Sequence, residues 1–168
     1  MVESRGSGAA HRALEVFNDG QGSSKLPVDP VSIARSLGIN VFQAKLENTL
    51  SGMIAKLSPD GDTNIFLNTE HAPVRQRFTC AHELGHYFAI RNDPNRAAAT
   101  FIHRRDSLSA CGANSEEIYA NQFAAELLMP RQEVSKATSL GMDVYARALR
   151  FNVSLDAMSL RLRNLNLA

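Results

Sequence analysis

The chain has 168 residues, of which 44% are hydrophobic and 21% charged, and its formal net charge is +1. This balance suits one folded domain, and it excludes both intrinsic disorder and an electrostatic preference for nucleic acid or anionic membranes. The two cysteines, Cys80 and Cys111, lack C-x-x-C spacing and are too few for a secreted disulfide scaffold, which indicates reduced thiols. Because the first residues are polar and no apolar run reaches the length of a membrane span, we expect a cytoplasmic protein with no membrane contact.

The predicted elements begin with a short helix over residues 9–17 and a turn-rich loop over residues 18–24. Residues 1–25 are therefore expected to form an N-terminal segment with some flexibility. A second helix follows Asp29-Pro30 and stops at Gly38. Three β-rich runs come next and predict a small antiparallel three-stranded sheet, at residues 40–46, 50–57 and 63–67.

Helical periodicity returns at residues 73–90, and residues 91–113 show no sustained period, which predicts a long connection. Four further helices are predicted at residues 114–129, 131–138, 143–150 and 155–165. The expected fold class is α+β, in a single domain over residues 1–168 whose helical tail, residues 141–168, packs on the core.

The run His82-Glu83-Leu84-Gly85-His86 lies within the helix predicted at residues 73–90. Positions i and i+4 of a helix share one face, so His82 and His86 can reach the same metal ion. Glu83 directly follows His82, and its carboxylate can reach a metal-bound water molecule without ligating the metal. This spacing is typical of hydrolytic zinc sites. The alternative is a surface helix that carries two solvated histidines.

A catalytic zinc ion commonly takes three protein ligands, so the two histidines need a partner from elsewhere in the chain. Several side chains qualify by type, namely His11, His71, His103, Asp106, Cys111, Glu116, Glu117 and Glu126. Glu117 is favoured because it begins a predicted helix on which Asn121 follows four residues later and can support a ligating histidine. However, Asn114-Ser115-Glu116-Glu117 also has the spacing of a capping box, and spacing alone leaves the two roles of Glu117 equally open.

Two sequence blocks resemble the ImmA/IrrE family of metallo-endopeptidases. They are Arg77-Phe78-Thr79-Cys80-Ala81-His82-Glu83-Leu84-Gly85-His86 and Glu117-Ile118-Tyr119-Ala120-Asn121-Gln122-Phe123-Ala124-Ala125-Glu126-Leu127-Leu128-Met129-Pro130. The resemblance implies a metallopeptidase domain with a zincin-like helical core. It also implies a zinc site with His82, His86 and Glu117 as ligands and Asn121 behind them.

The activity implied by the resemblance is zinc-dependent hydrolysis of a peptide bond, with Glu83 as general base and then general acid. The developing oxyanion also needs a hydrogen-bond donor, and His103, in the predicted connection, is a weak candidate for this role. The implied substrate is a helix-turn-helix repressor or an antitoxin. We expect an edge of the sheet within residues 50–67 to line the cleft and bind the peptide by β-addition.

Two alternatives belong to other functional classes. The chain could be a metal-containing partner that binds a repressor, as in a toxin–antitoxin pair, without cutting it. The tail also has the helix-turn-helix spacing of DNA-binding proteins, with four arginines at Arg147, Arg150, Arg161 and Arg163. Because the whole chain is nearly neutral, nucleic acid is not the expected partner.

Overall fold

A computed structural model describes residues 5–17, 25–96, 99–106 and 115–167. The helices in these residues are α1 (Arg5–Phe17), α2 (Pro30–Ser36), α3 (Pro73–Arg91), α4 (Ser115–Leu128), α5 (Arg131–Ser139), α6 (Val144–Phe151) and α7 (Leu155–Leu165). The strands are β1 (Asn40–Ala44), β2 (Leu50–Lys56), β3 (Thr63–Asn68) and β4 (Phe101–Asp106). The predicted α+β class is confirmed. The loop predicted at residues 18–24 and the thiol of Cys111 lie outside the described residues.

The prediction of an antiparallel three-stranded sheet is wrong in two respects. The sheet has four strands in the described part of the chain, in the order β1-β3-β2-β4. β2 pairs antiparallel with β3 and with β4, whereas β1 pairs parallel with β3, from Asn40 opposite Asn64 to Ala44 opposite Asn68. β4 lies in the segment predicted to be a long connection. The edges of the sheet are therefore β1 and β4, and β2 and β3 are both interior strands.

Helix α3 begins at Pro73, which suits the first helical position because proline has no N–H to satisfy there. One side of α3 packs on β2, where a Cβ added to Gly52 would lie 2.6 Å from Thr79 Cγ2. Another side packs on α4, where a Cβ added to Gly85 would lie 2.7 Å from Ala120 Cα. The two glycines therefore let the backbone of α3 approach both its sheet and its partner helix.

Helix α1 and the C-terminal helices α6 and α7 add to the hydrophobic core that α4 shares. Helix α1 packs on α4 through buried Ala9, Ala10 and Leu14. The C-terminal helices contribute apolar side chains to the same hydrophobic core, namely Phe151, Met158, Leu162 and Leu165. Side-chain caps begin both of them, Asp143 for α6 and Ser154 for α7, and Asn152 in the left-handed region ends α6.

A buried ion pair fastens the tail to α4. Arg161 of α7 is paired with Glu126 of α4, and its Nε donates to the Met129 carbonyl oxygen over 3.0 Å. Glu126 also accepts a hydrogen bond of 2.9 Å from the backbone N–H of Arg131, at the start of α5. One carboxylate thus connects three helices. Within the described residues, the helices are all too short or too polar to cross a bilayer.

Candidate metal centre

The two histidines of α3 and the first turn of α4 meet in the interior. His82 Nε2 lies 3.0 Å from His86 Nε2, and the Glu117 carboxylate lies 3.3 Å from His82 Nε2 and 3.1 Å from His86 Nε2. His82 and His86 are buried, and Glu117 is only partly exposed. The close packing of α3 on α4 at Gly85 and Ala120 allows this convergence.

Asn121 fixes the chemical state of the His82 ring. Its Oδ1 lies 3.0 Å from His82 Nδ1, and an amide oxygen can only accept, so Nδ1 carries the proton. The lone pair of His82 is then on Nε2, which faces His86 and Glu117. This is the arrangement expected of a metal-ligating histidine, whose outer nitrogen donates to an oxygen behind it.

Burial lowers the pKa of His86 to about 3, and the neighbouring His82 ring adds to this lowering, although Glu117 opposes it. The imidazole is therefore neutral at physiological pH, and its contact with Glu117 is not an ion pair. Neutral imidazole is the form that binds metal ions.

The spacing of the three donor atoms fits zinc. A tetrahedral ion with ligand bonds of about 2.0–2.1 Å separates its ligand atoms by about 3.3–3.4 Å, and the separations here are 3.0–3.3 Å. Two imidazole nitrogens and a carboxylate that converge in this way can offer three ligand atoms to one cation. Two imidazoles and one carboxylate also form the donor set of known zinc peptidases.

Glu83 is fully buried on α3, one residue beyond His82. The side chain of Cys80 is also buried, and burial, with Glu83 as the next cause, raises the pKa of its thiol to about 12. The thiol is therefore protonated and unreactive at neutral pH.

The structure also places His103 beside the site, in strand β4 and not in a loop. Its ring stacks on the His86 ring, with centroids 4.7 Å apart and planes 17° apart. Burial lowers the pKa of His103, Glu116 opposes this lowering and Arg96 adds to it. His103 is therefore a neutral imidazole in contact with His86, a member of the His82, His86 and Glu117 cluster.

Two charged side chains, Arg96 and Glu116, lie near His103. Arg96 lies 2.5 Å from the Glu116 carboxylate, and the ligand-type atoms of Glu116, His86 and His103 all lie within 4.8 Å of one another. The sequence reasoning did not find Arg96, because it follows α3 in a segment without periodicity. Glu126, another side chain that qualified by type as a third ligand, is in the ion pair with Arg161 and not at this site.

Comparison with known proteins agrees with the two sequence blocks. The family model of the IrrE N-terminal-like domain, Peptidase_M78, matches residues 34–163, which is most of the chain. The chain belongs to the ImmA/IrrE family. This membership makes the chain a relative of metallopeptidases. It therefore supports the interpretation of the His82, His86 and Glu117 cluster as a candidate metal site.

One similar sequence and one similar structure can be named. The chain is 31% identical over 108 residues to the uncharacterised immunity region protein 2 of Bacillus phage phi105, and this match spans 64% of the chain and 63% of that protein. Its fold is similar to that of a Mycobacterium tuberculosis transcriptional regulator, with a TM-score of 0.58 and 21% identity. That likeness covers 91% of this chain but 46% of the regulator, so this chain has the length of about half of it.

Proposed function

We propose that this chain is a zinc-dependent endopeptidase. The observation that carries the proposal is the convergence of His82, His86 and Glu117, with the buried Glu83 one residue beyond His82 on α3. His82, His86 and Glu117 would hold the ion, with Asn121 orienting His82. When bound, zinc supplies Lewis acidity and makes water more acidic, which permits hydrolysis at neutral pH.

The residues of the chain have separate tasks in this reaction. Glu83 accepts a proton from the attacking water and then delivers a proton to the departing amine. His103 supplies an N–H to the oxygen of the scissile carbonyl as negative charge develops on it. The stacking of His103 on His86 supports this role, because it holds the imidazole next to the place where the carbonyl must lie.

Strand β4 is the part of the sheet that fits an extended substrate. The earlier expectation, an edge within residues 50–67, is wrong because β2 lies between β3 and β4 and β3 lies between β1 and β2. β4 is an edge strand, and it carries His103. An extended peptide could add to this edge through backbone hydrogen bonds and pass His103.

The proposed substrate is a helix-turn-helix repressor or an antitoxin. Membership of the ImmA/IrrE family supports this choice, as do similarities to a phage immunity region protein and a transcriptional regulator. We further propose that the chain acts in the cytoplasm, where repressors bind DNA, as one metallopeptidase domain with a zincin-like core over residues 1–168. The buried, reduced Cys80 is compatible with that location.

The decisive experiment measures zinc content and cleavage of the repressor encoded beside this gene, for the native protein and two variants. Glu83→Gln should retain zinc and lose cleavage, whereas Glu117→Ala should lose both. Glu116→Ala, which changes the neighbouring carboxylate, is the matched control and should retain zinc. Unchanged cleavage in Glu83→Gln would rule out the proposed mechanism. If the native zinc-loaded protein binds the repressor without cutting it, the chain is a non-cleaving metal-containing partner.

The contacts of the tail weaken the DNA-binding alternative. Arg161 is buried in its pair with Glu126, and Arg147 donates to Thr138 Oγ1 over 2.8 Å. Tyr145 and Leu149 are exposed on α6, where DNA would require polar contacts to phosphate. We therefore expect no salt-dependent gel shift with duplex DNA; a shift that survives zinc removal would restore this alternative.

A further inference from the structure

An apolar cavity of about 390 Å³ lies between the first turns of α3 and the C-terminal tail. From α3 it is lined by Val74, Arg75 and Phe78, and from the α6–α7 turn and α7 by Val153, Ser154 and Ala157. The guanidinium of Arg75 is held towards the sheet by a hydrogen bond of 2.8 Å to Ser51 Oγ. Ser154 Oγ is likewise engaged, because it accepts from the N–H of Ala157. The surface left for an occupant is mostly hydrocarbon.

The cavity and the candidate metal centre share helix α3. Arg75, Phe78 and His82 are spaced i, i+3 and i+7 and therefore form one stripe on this helix. Phe78 precedes His82 by four residues, which is about 6 Å along a helix axis. An extended peptide covers about 3.3 Å per residue, so 6 Å corresponds to two peptide residues.

Successive side chains of an extended peptide point to opposite sides, and residues two apart point to the same side. A peptide that lies along the proposed cleft can therefore insert a side chain into the cavity from about two positions away from the scissile bond. The hydrocarbon lining determines which side chains gain from burial there. Bulky apolar ones gain most, since the hydrophobic stabilisation grows with the apolar area removed from water.

We propose that this cavity is a specificity subsite that accepts a bulky apolar side chain of the substrate. The inference rests on the proposed peptidase function. It gives the C-terminal tail a role in the enzyme, because Val153 and Ala157 form one wall of the subsite. The tail then contributes to the choice of substrate, whereas α3 carries the proposed catalytic residues.

The probe is a synthetic peptide library with randomised positions, digested by the full-length, zinc-loaded protein and analysed by mass spectrometry. Cleaved peptides should carry Leu, Ile, Met or Phe at one fixed position near the cut. Ala157→Phe fills the cavity and should lower kcat/KM for a peptide with Leu at that position by at least tenfold. Leu160→Phe places the same side chain on an exposed part of α7 and should leave kcat/KM unchanged. Ala157→Leu, a smaller filling, serves if Ala157→Phe does not fold.

A second measurement separates the subsite from the peptidase function. Zinc-loaded Glu83→Gln protein is immobilised and the same library is passed over it, with and without Ala157→Phe. Retention of apolar peptides that disappears with Ala157→Phe supports the subsite even if the native protein cuts nothing, in which case only the proposed function fails. Cleavage without an apolar preference, or a preference unchanged in Ala157→Phe, would overturn the subsite and leave the peptidase intact. If peptides are neither cut nor retained, both proposals fail.

Discussion

Asn121 holds the His82 ring in the tautomer that a metal site requires, through the 3.0 Å contact between Oδ1 and Nδ1. Removing that acceptor frees the ring to rotate and to protonate the wrong nitrogen. Loss of such a supporting contact commonly costs about 10–100-fold in metal affinity. We therefore expect Asn121→Ala to bind zinc about 10–100-fold more weakly, as measured by competition with a chromogenic chelator.

The control for this prediction is Asn121→Asp, which keeps an oxygen at the same place. It should bind zinc about as tightly as the native protein. Equal zinc affinity in Asn121→Ala would show that the contact with His82 does not support the metal site.

The residues of the metal centre differed in how far the sequence could predict them. His82 and His86 were predictable because both ligands are on one helix, four residues apart. For Glu117, spacing left the roles of ligand and helix cap equally open. The resemblance to the ImmA/IrrE family favoured the ligand, and the contacts of Glu117 with His82 and His86 agree with that role. Asn114, the cap of the capping-box pattern, lies outside the described residues. His103 was only a weak candidate, because its position depends on a strand pairing that spacing does not record.

The start of α2 depends on the carboxylate of Asp29, which accepts from the Val31 N–H over 3.0 Å and from Ser32 Oγ over 2.6 Å. Burial raises the pKa of this carboxyl, but the hydrogen bonds from Ser32 and Val31, with the charge of Arg77, outweigh burial and lower it. A lowered folded-state pKa contributes stability that is present above the unfolded value of about 3.9 and is lost as pH falls through the folded value.

Asp29→Ala should therefore lower the free energy of unfolding at pH 7 by about 0.5–1 kcal/mol, since solvent screening at this exposed site limits the effect. Urea unfolding at pH 7, 5 and 3.5 tests the sign, because the difference from the native protein should shrink only at the lowest pH. Asp29→Asn keeps a capping oxygen without charge and is the control. A difference that grows as pH falls would contradict this account.

The pair of Glu126 and Arg161 makes the packing of α4, α5 and α7 interdependent. Replacing Arg161 by Met leaves a carboxylate buried without its cation, which typically costs about 3–5 kcal/mol. The double variant Glu126→Gln/Arg161→Met should recover part of this loss, because glutamine is neutral and can still accept from the Arg131 N–H. Guanidinium unfolding measures both variants. Arg150→Met, at an exposed position of α6, should stay within about 0.5 kcal/mol of the native protein. A double variant no more stable than the single one would contradict this reasoning.

The elements show why helices were easier to predict than the sheet. The helices from α3 to α7 agree with prediction to within about two residues, since each has its own apolar period and its own stop signals. Strand β4 has no such signal: charged and polar residues fill its second half, and its Ile102 side chain is 53% exposed at the sheet edge. The parallel pairing of β1 with β3 depends on the hairpin of β2 and β3 turning back beside β1, and local sequence patterns do not encode this choice.

At the scale of the whole molecule, the candidate metal centre combines residues of two helices, α3 and α4. His82 and His86 belong to α3, which packs on the sheet, and Glu117 belongs to α4, which packs on α3 and α1. An ion that binds only the folded chain adds RT ln(1 + [L]/Kd) to its stability. At free zinc about 1,000-fold above Kd this is about 4 kcal/mol, or a rise in Tm of about 8–16 °C for a chain of this size.

Removing zinc with a chelator should therefore lower the Tm of the native protein by about 8–16 °C, and re-addition should restore it. Differential scanning calorimetry measures this shift, together with its dependence on free zinc. The shift should vanish in Glu117→Ala and persist in Glu116→Ala, because Glu117 is the carboxylate that reaches both histidines. The opposite result, with the shift lost in Glu116→Ala and kept in Glu117→Ala, would place the ion with His86, His103 and Glu116. In that case the site described for hydrolysis would not be the site that holds the metal.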